Sequence, residues 1–425
     1  MTDKTFADFA LEQPIQDALA RANFLKPTEI QAQAIQPQLD GRDILGLAQT
    51  GTGKTAAFAL PILHHILQMP GRAAPGTARA LILAPTRELA VQILDEFRRF
   101  AGGARVSTCL VLGGVSRNVQ IRNLGRGVDV VVATPGRLLD LVDDRKLRLD
   151  EVRFVVLDEA DRMLDMGFVQ PVRRIVSMLH PRRQSAMFSA TMPSEVSGLA
   201  GSFLNNPVRV EVAPQSTVVT KIEQTAELMD GTAKRARLAE LMTSEGMERA
   251  IVFARTKRGA DRVAQNLEKD GIKAEAIHGN KAQNARQRAL NNFRHGTVKV
   301  LVATDIAARG IDVPGISHVI NYDLPDEPEN YVHRIGRTAR NGAEGIAITL
   351  CAPDEVKKMR AVEKITGETL LPRGVAGVEP KGGRGNRRGG NGGGNGGAAK
   401  PAGGGANKAR RPNSRRSKPA RANAA

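Results

Sequence analysis

The apolar run Ile44-Leu45-Gly46-Leu47 leads directly into Ala48-Gln49-Thr50-Gly51-Thr52-Gly53-Lys54-Thr55, and then into the helix-forming stretch Ala56-Ala57-Phe58-Ala59-Leu60. A buried strand that delivers its carboxyl end into a helix N-terminus belongs to a parallel α/β architecture. Such a loop aims backbone N–H groups and the positive end of a helix dipole at one point, where the phosphates of a nucleotide sit. Gly51 and Gly53 let the backbone approach closely. Lys54 reaches the outer phosphates and the Thr55 hydroxyl ligates Mg²⁺, so ATP and Mg²⁺ are the expected cofactors. Ala48 stands where such loops usually have their first glycine, which removes some backbone freedom at the entry. The loop alone names no reaction.

A chain of 425 residues suits two domains and an additional segment. The net charge of +18 favours a polyanionic partner such as nucleic acid, although charge alone does not exclude an anionic membrane surface. From Val375 to Ala425 twelve Lys or Arg face the single acid Glu379, so this segment holds +11 of the total. Beyond Gly377 the composition is Gly, Arg, Lys, Asn and Ala, which cannot bury enough apolar surface to offset ordering entropy. It reads as a disordered basic arm that contacts RNA or protein, with an inert solubilising tail as the alternative. The only cysteines, Cys109 and Cys351, lie in apolar strand-like runs and read as buried reduced thiols. The N-terminus has no signal-like pattern and no stretch reaches membrane-spanning length, so a soluble, cytoplasmic protein is expected.

Residues Phe6 to Gln31 read as two short helices closing on Lys26-Pro27-Thr28-Glu29-Ile30-Gln31, where Thr28 caps the next helix. The Gln31 amide offers a donor and an acceptor, matching the paired edge of an adenine. Strands Ala80–Ala84, Thr108–Leu112 and Val128–Ala133 end in Pro85-Thr86-Arg87, Gly113-Gly114 and Thr134-Pro135-Gly136-Arg137. Ligands of open α/β sheets bind outside the carboxyl ends of the strands, so these groups share one rim and suit a phosphodiester backbone. The strand Arg153–Leu157 ends in Asp158-Glu159-Ala160-Asp161. With a phosphate loop upstream, Asp158 is expected to hold Mg²⁺ and Glu159 to orient and deprotonate the attacking water. Ser189-Ala190-Thr191 follows the strand Ser185–Phe188, with two hydroxyls suited to bond the acidic cluster.

Residues 210–219 read as a domain linker. Beyond them strand-like runs recur at Ala250–Phe253, Ala274–Ile277, Val298–Ala303, His318–Asn321 and Gly345–Leu350, without a second phosphate loop. This is a second parallel α/β domain that lacks its own nucleotide site. In His333-Arg334-Ile335-Gly336-Arg337-Thr338-Ala339-Arg340 the arginines recur at spacing three, on one face of a helix. They are either a solvated basic face or fingers that stabilise charge in phosphoryl transfer, and a phosphate loop without a basic finger in its own domain favours the second.

These motifs, in this order and spacing over residues 6 to 350, resemble the DEAD-box RNA helicases, and Asp158 to Phe168 is similar to the bacterial RhlE-type branch. The resemblance implies two tandem RecA-like domains with ATP between them and RNA across both. Residues 1–31 correspond to an adenine-reading element with Phe6, Phe24 and Gln31, residues 32–209 to the first domain, 220–374 to the second and 375–425 to the tail. It implies RNA-backbone contacts from Arg87, Gly114, Thr134 and Arg137 in the first domain and from Arg255, Gln283, Arg286 and Thr304 in the second. Asp312 would meet the ribose and Arg337 and Arg340 would be the fingers. His333, with Ser189 and Thr191, would couple the domains.

Two departures from the family pattern stand out. Asn23 replaces a common glycine before Phe24, which is expected to alter that turn, and Ala339 replaces one between Thr338 and Arg340, which is expected to tighten that helix. The function implied is RNA-stimulated ATP hydrolysis by a monomeric core that opens short RNA duplexes, with family-level links to ribosome assembly and RNA degradation. An ATP-gated RNA clamp and a translocating DNA helicase are the alternatives. With no Trp and only Tyr322 and Tyr331, there is little to build a base-stacking platform, which favours backbone reading with little sequence specificity.

Overall fold

The computed structural model describes residues 4–49, 51–212, 222–244, 246–308, 311, 313, 315–339 and 343–371. The first sheet contains β1 (Ile44–Leu47), β2 (Ala78–Leu83), β3 (Thr108–Val111), β4 (Val128–Ala133), β5 (Phe154–Leu157), β6 (Gln184–Ser189) and β7 (Val208–Glu211), in the order β3-β4-β2-β5-β6-β1-β7. The second contains β8 (Ile222–Leu228), β9 (Ala250–Phe253), β10 (Ala274–Ile277), β11 (Val300–Ala303), β12 (His318–Asn321) and β13 (Gly345–Cys351), in the order β10-β11-β9-β12-β13-β8. All neighbouring strands in both sheets are parallel. Each sheet therefore gathers the carboxyl ends of its strands along one rim.

A parallel sheet covered on both faces needs apolar side chains at every position of its inner strands. Strand β2 sends Ala80 and Ile82 into one core and Leu81 and Leu83 into the other, and β4 divides Val130 and Val132 from Val131 and Ala133 in the same way. The first core is closed by α1 (Gln13–Arg21), α2 (Glu29–Leu39), α3 (Lys54–Gln68) and α4 (Arg87–Ala101). The opposite core is closed by α5 (Arg117–Leu124), α6 (Pro135–Asp143), α7 (Ala160–Asp165), α8 (Val169–Ser177) and α9 (Ser194–Phe203). The second sheet repeats the plan, with Val252, Val300 and Val302 in one core and Ile251, Leu301 and Ala303 in the other. Cys109 and Cys351 are buried and free. Among the described residues no helix is long and apolar enough to cross a membrane.

Three expectations are corrected. Val210 and Glu211 belong to β7, paired along the outer edge of β1, and not to a linker. Only Val210 of that strand is buried, so an edge strand with one covered side carried a weak apolar signal, and residues 213–219 lie outside the described residues. Strand β8, at one edge of the second sheet, is mostly polar for the same reason and has no counterpart in the sequence-based expectations. Finally, Arg334 and Arg337 do not share a helix face, because the helix Pro328–Ile335 stops at Gly336; Arg340 lies outside the described residues. Ala339 does not tighten a helix, because it sits beyond the end in a left-handed conformation with φ of 54°.

Candidate functional site

Between β1 and α3 the loop needs glycine for two reasons. Gly51 and Gly53 have φ of 89° and 90°, a region that costs residues with a Cβ, and the space beside Gly53 is filled by the side chains of Gln31 and Thr28. Ala48 has no positive φ, so the missing first glycine carries no backbone cost here. Its N–H donates to the Ser189 carbonyl at 3.0 Å and its carbonyl accepts the Lys54 ammonium at 2.9 Å. Thr52 Oγ1 donates to the Gln49 carbonyl at 2.8 Å, Thr55 is half-buried, and Thr50 lies outside the described residues.

Gln31 is buried against this loop. Its Oε1 accepts the Thr28 N–H at 2.9 Å and its Nε2 donates to the Gly53 carbonyl at 3.0 Å, so the expected adenine reader is bonded to the phosphate loop itself. Phe6 is buried against Phe9 and Phe24, and Phe24 also packs on Phe100 and under Arg99. Asn23 keeps the turn that glycine commonly makes. With φ of 58° it lets its own N–H reach the Ala20 carbonyl and that of Phe24 reach Leu19, a left-handed helix ending that asparagine tolerates.

The acids at the end of β5 are buried. Burial pushes the Asp158 carboxyl up to about 6, with Lys54 pulling it down and Glu159 pushing it further up. Glu159 has φ of 53°, and its N–H donates to Asp158 Oδ1 at 3.0 Å. Arg162, one turn along α7, donates to Glu159 Oε2 at 3.0 Å, which orients the carboxylate; the spacing of three residues was the available sequence signal. Asp161 Oδ2 accepts the N–H groups of Ala190 and Thr191 and the Thr191 hydroxyl, at 3.1, 2.9 and 3.0 Å. Ser189 Oγ accepts the Asp161 N–H at 3.2 Å. The hydroxyl tripeptide and the acidic cluster are thus one bonded unit.

Along the same rim, Arg87 fills the space that a Gly114 side chain would occupy, and Arg137 Nη1 donates to the Val115 carbonyl at 3.2 Å. Thr134 precedes α6 and is buried. The second rim meets this group directly. Arg87 Nη1 donates to Gln283 Oε1 at 3.3 Å, Gln283 Nε2 donates to Glu88 Oε1 at 3.1 Å, and Arg286 pairs with Glu88 Oε2 at 2.7 Å. Glu88 was not singled out from the sequence, although it directly follows Arg87. Arg255 is exposed at its side chain, its N–H donating to Asp323, and Thr304 is buried at the end of β11.

A shallow, open depression on the second domain is lined by Phe253, Asp305, Asn330, His333, Arg334 and Arg337. Arg334 is fully buried, forked onto Asp305 and bonded to Asn321 and the Asp323 carbonyl, which makes it a structural cation. Arg337 is turned into its own domain, donating to the Ile311 carbonyl at 2.9 Å and the His333 carbonyl at 3.2 Å. Asp312 lies outside the described residues.

Residues 28–199 match the DEAD/DEAH box helicase family model, and residues 233–342 match the helicase conserved C-terminal domain. The ATP-dependent RNA helicase DBP2 of Ajellomyces capsulatus is 44% identical over 371 residues, 86% of this chain and 68% of that protein. The chain belongs to the DEAD-box RNA helicase family. Another relative of this DEAD-box chain is the RNA helicase CrhR of Synechocystis, 46% identical over 360 residues, 84% of this chain and 72% of that protein. The fold also matches S. cerevisiae Dbp5 bound to RNA and ADP BeF3, with a TM-score of 0.76 at 32% identity over 86% of this DEAD-box chain and 94% of the yeast one. Two RecA-like sheets are therefore the family fold.

Proposed function

We propose that this DEAD-box chain is an RNA-stimulated ATPase that couples the meeting of its two rims to the local opening of short RNA duplexes. The observation that carries this reading is the bonded group Arg87, Glu88, Gln283 and Arg286, in which residues that would touch RNA from each domain also touch across domains. A ligand that binds both rims favours the arrangement in which they meet, and a nucleotide that favours the same arrangement tightens that ligand in turn. Lys54 and the loop N–H groups bind the phosphates and Gln31 addresses the adenine. The oxygen donors Thr55 and Asp158 suit Mg²⁺, which when bound neutralises charge on the phosphates. Glu159, oriented by Arg162, takes the proton of the attacking water. Arg337 and Arg340 serve as fingers, Arg337 by leaving its carbonyl partners, while Asp312 meets the ribose. Tyr331 is fully buried and Tyr322 half-buried, which supports backbone reading over base stacking. The basic tail adds RNA contacts, and the reading extends to a cytoplasmic role in RNA turnover or ribosome assembly.

Steady-state ATP hydrolysis without nucleic acid, with RNA, and with DNA of matched length tests this reading. Strong stimulation by RNA alone, accompanied by strand separation of a short duplex, is the expected result. Equal stimulation by DNA would indicate a DNA helicase, and stable RNA holding without strand separation would indicate a clamp.

A further inference from the structure

Gln120 lies on α5, outside every motif that the sequence reading used, and is only 3% exposed. Its Oε1 accepts the Leu112 N–H at 3.2 Å, and its Nε2 donates to the carbonyls of Leu112 at 2.9 Å and Val115 at 3.5 Å. Strand β3 is the outermost of its sheet, so the residue that leaves it has no further strand beside it. The Gln120 amide supplies the donor and the acceptor that such a strand would have given. Above it, the loop from Leu112 to Val115 carries Gly114 at φ of 76°, has the Arg87 guanidinium against Gly114, and offers the Val115 carbonyl to Arg137 as well. Three groups proposed to take RNA therefore converge on one short loop whose buried side is held by a single amide.

We propose that Gln120 is the positioning residue for RNA on the first rim, fixing the Gly114 loop so that Arg87, Gly114 and Arg137 present one surface to the phosphodiester backbone. The proposal rests on the reading of those three residues as RNA contacts. Without the amide, the Leu112 N–H and carbonyl lose a partner in a buried place, while the more exposed Val115 carbonyl keeps Arg137, and Leu112 reaches water only if the loop moves. The carbonyl that anchors Arg137 moves with it. Glutamate cannot replace this amide: it accepts from Leu112 but sets a carboxylate against the Leu112 and Val115 carbonyls.

The test is RNA-stimulated ATP hydrolysis as a function of RNA concentration for Gln120→Met, Gln120→Glu, Arg87→Ala and Gln38→Met. Gln38 is an equally buried amide in the same domain, bonded to the Ala34 and Ala57 carbonyls, and it controls for the loss of a buried amide as such. Gln120→Met is expected to raise the half-stimulating RNA concentration about tenfold, equivalent to about 1.4 kcal/mol, with the rate at saturating RNA within about twofold of the parent. Gln38→Met is expected to lower the melting temperature and leave the half-stimulating RNA concentration unchanged. Gln120→Glu keeps one of the three bonds and carries the test if the methionine variant does not fold. If Arg87→Ala weakens RNA and neither Gln120 variant does, or if Gln120→Met and Gln38→Met behave alike, the positioning role is wrong while the rim reading stands. An Arg87→Ala variant with unaltered RNA dependence overturns the rim reading itself.

Discussion

Glu88, on the helix Arg87–Ala101 of the first domain, and Arg286, on the helix Gln283–Arg294 of the second, stand 2.7 Å apart, each with a side chain almost wholly withdrawn from water. A buried pair of this kind contributes less net stability than its Coulomb attraction suggests, yet removing one partner is costly, roughly 3–5 kcal/mol, because an unpaired charge stays behind. Arg286 also has an Nε without a partner, so Glu88 is its principal counterweight. The pair penalises any half-made meeting of the two rims.

Glu88→Ala is accordingly expected to weaken RNA-stimulated hydrolysis strongly, and Arg286→Ala to add less in that background than in the parent. A double-mutant cycle on the half-stimulating RNA concentration measures this, with an expected coupling above about 1 kcal/mol. Strict additivity would show that the two residues act independently.

Glu159→Gln keeps the size of the side chain and removes its basicity. Loss of a positioned general base is expected to lower hydrolysis by about 10²–10⁴-fold. Nucleotide and RNA should still bind together, so fluorescence anisotropy of labelled RNA with ATP should show a longer-lived complex than the parent forms. A variant that hydrolyses within a few fold of the parent would assign the base elsewhere.

The loop glycines make a paired prediction. Gly53→Ala forces a Cβ into a left-handed residue, at about 1–2 kcal/mol, and against the Gln31 amide. Titration with a fluorescent nucleotide should show at least a tenfold loss of affinity. Ala48→Gly, which restores the usual residue, should give no gain, since Ala48 needs no positive φ.

Burial pushes both thiols, Cys109 and Cys351, up to about 11, so the native protein favours their neutral form. The stability this contributes is complete below the ordinary thiol range and is lost as pH rises through about 11. At pH 8 an alkylating reagent should modify both cysteines rapidly in denaturant and slowly in the native state. Fast native labelling of either one would contradict its burial.

Most of the strands, though not their order in the sheets, were legible because a doubly covered strand admits few residues that are not apolar. Strands β7 and β8 were not, since each buries a single residue and the rest of its sequence resembles a turn or a polar segment, unlike the edge strands β3 and β10, which bury more. The positions of the glycine loop between β1 and α3 and of the acids after β5 could be read from spacing alone. Contacts such as Glu88 with Arg286, or Gln120 with Leu112, depend on tertiary approach, and no periodicity encodes them. The arginine series misled for a local reason: spacing of three predicts a shared helix face only while the helix continues, and Gly336 ends it between Arg334 and Arg337.

The rim arginines are answered largely from within. Arg286 faces Glu88 and Arg137 lies 3.5 Å from Asp140, whereas Glu355, 3.9 Å from Arg255, is already paired with Lys234 at 2.6 Å. A cation already neutralised by a carboxylate sheds few counterions when a phosphate takes the carboxylate's place, so binding at this rim should fall less steeply with salt than its tally of arginines implies. If the proposed RNA contacts hold, ionic strength is expected to act mainly through the twelve basic residues beyond Gly374 and less through the two facing rims.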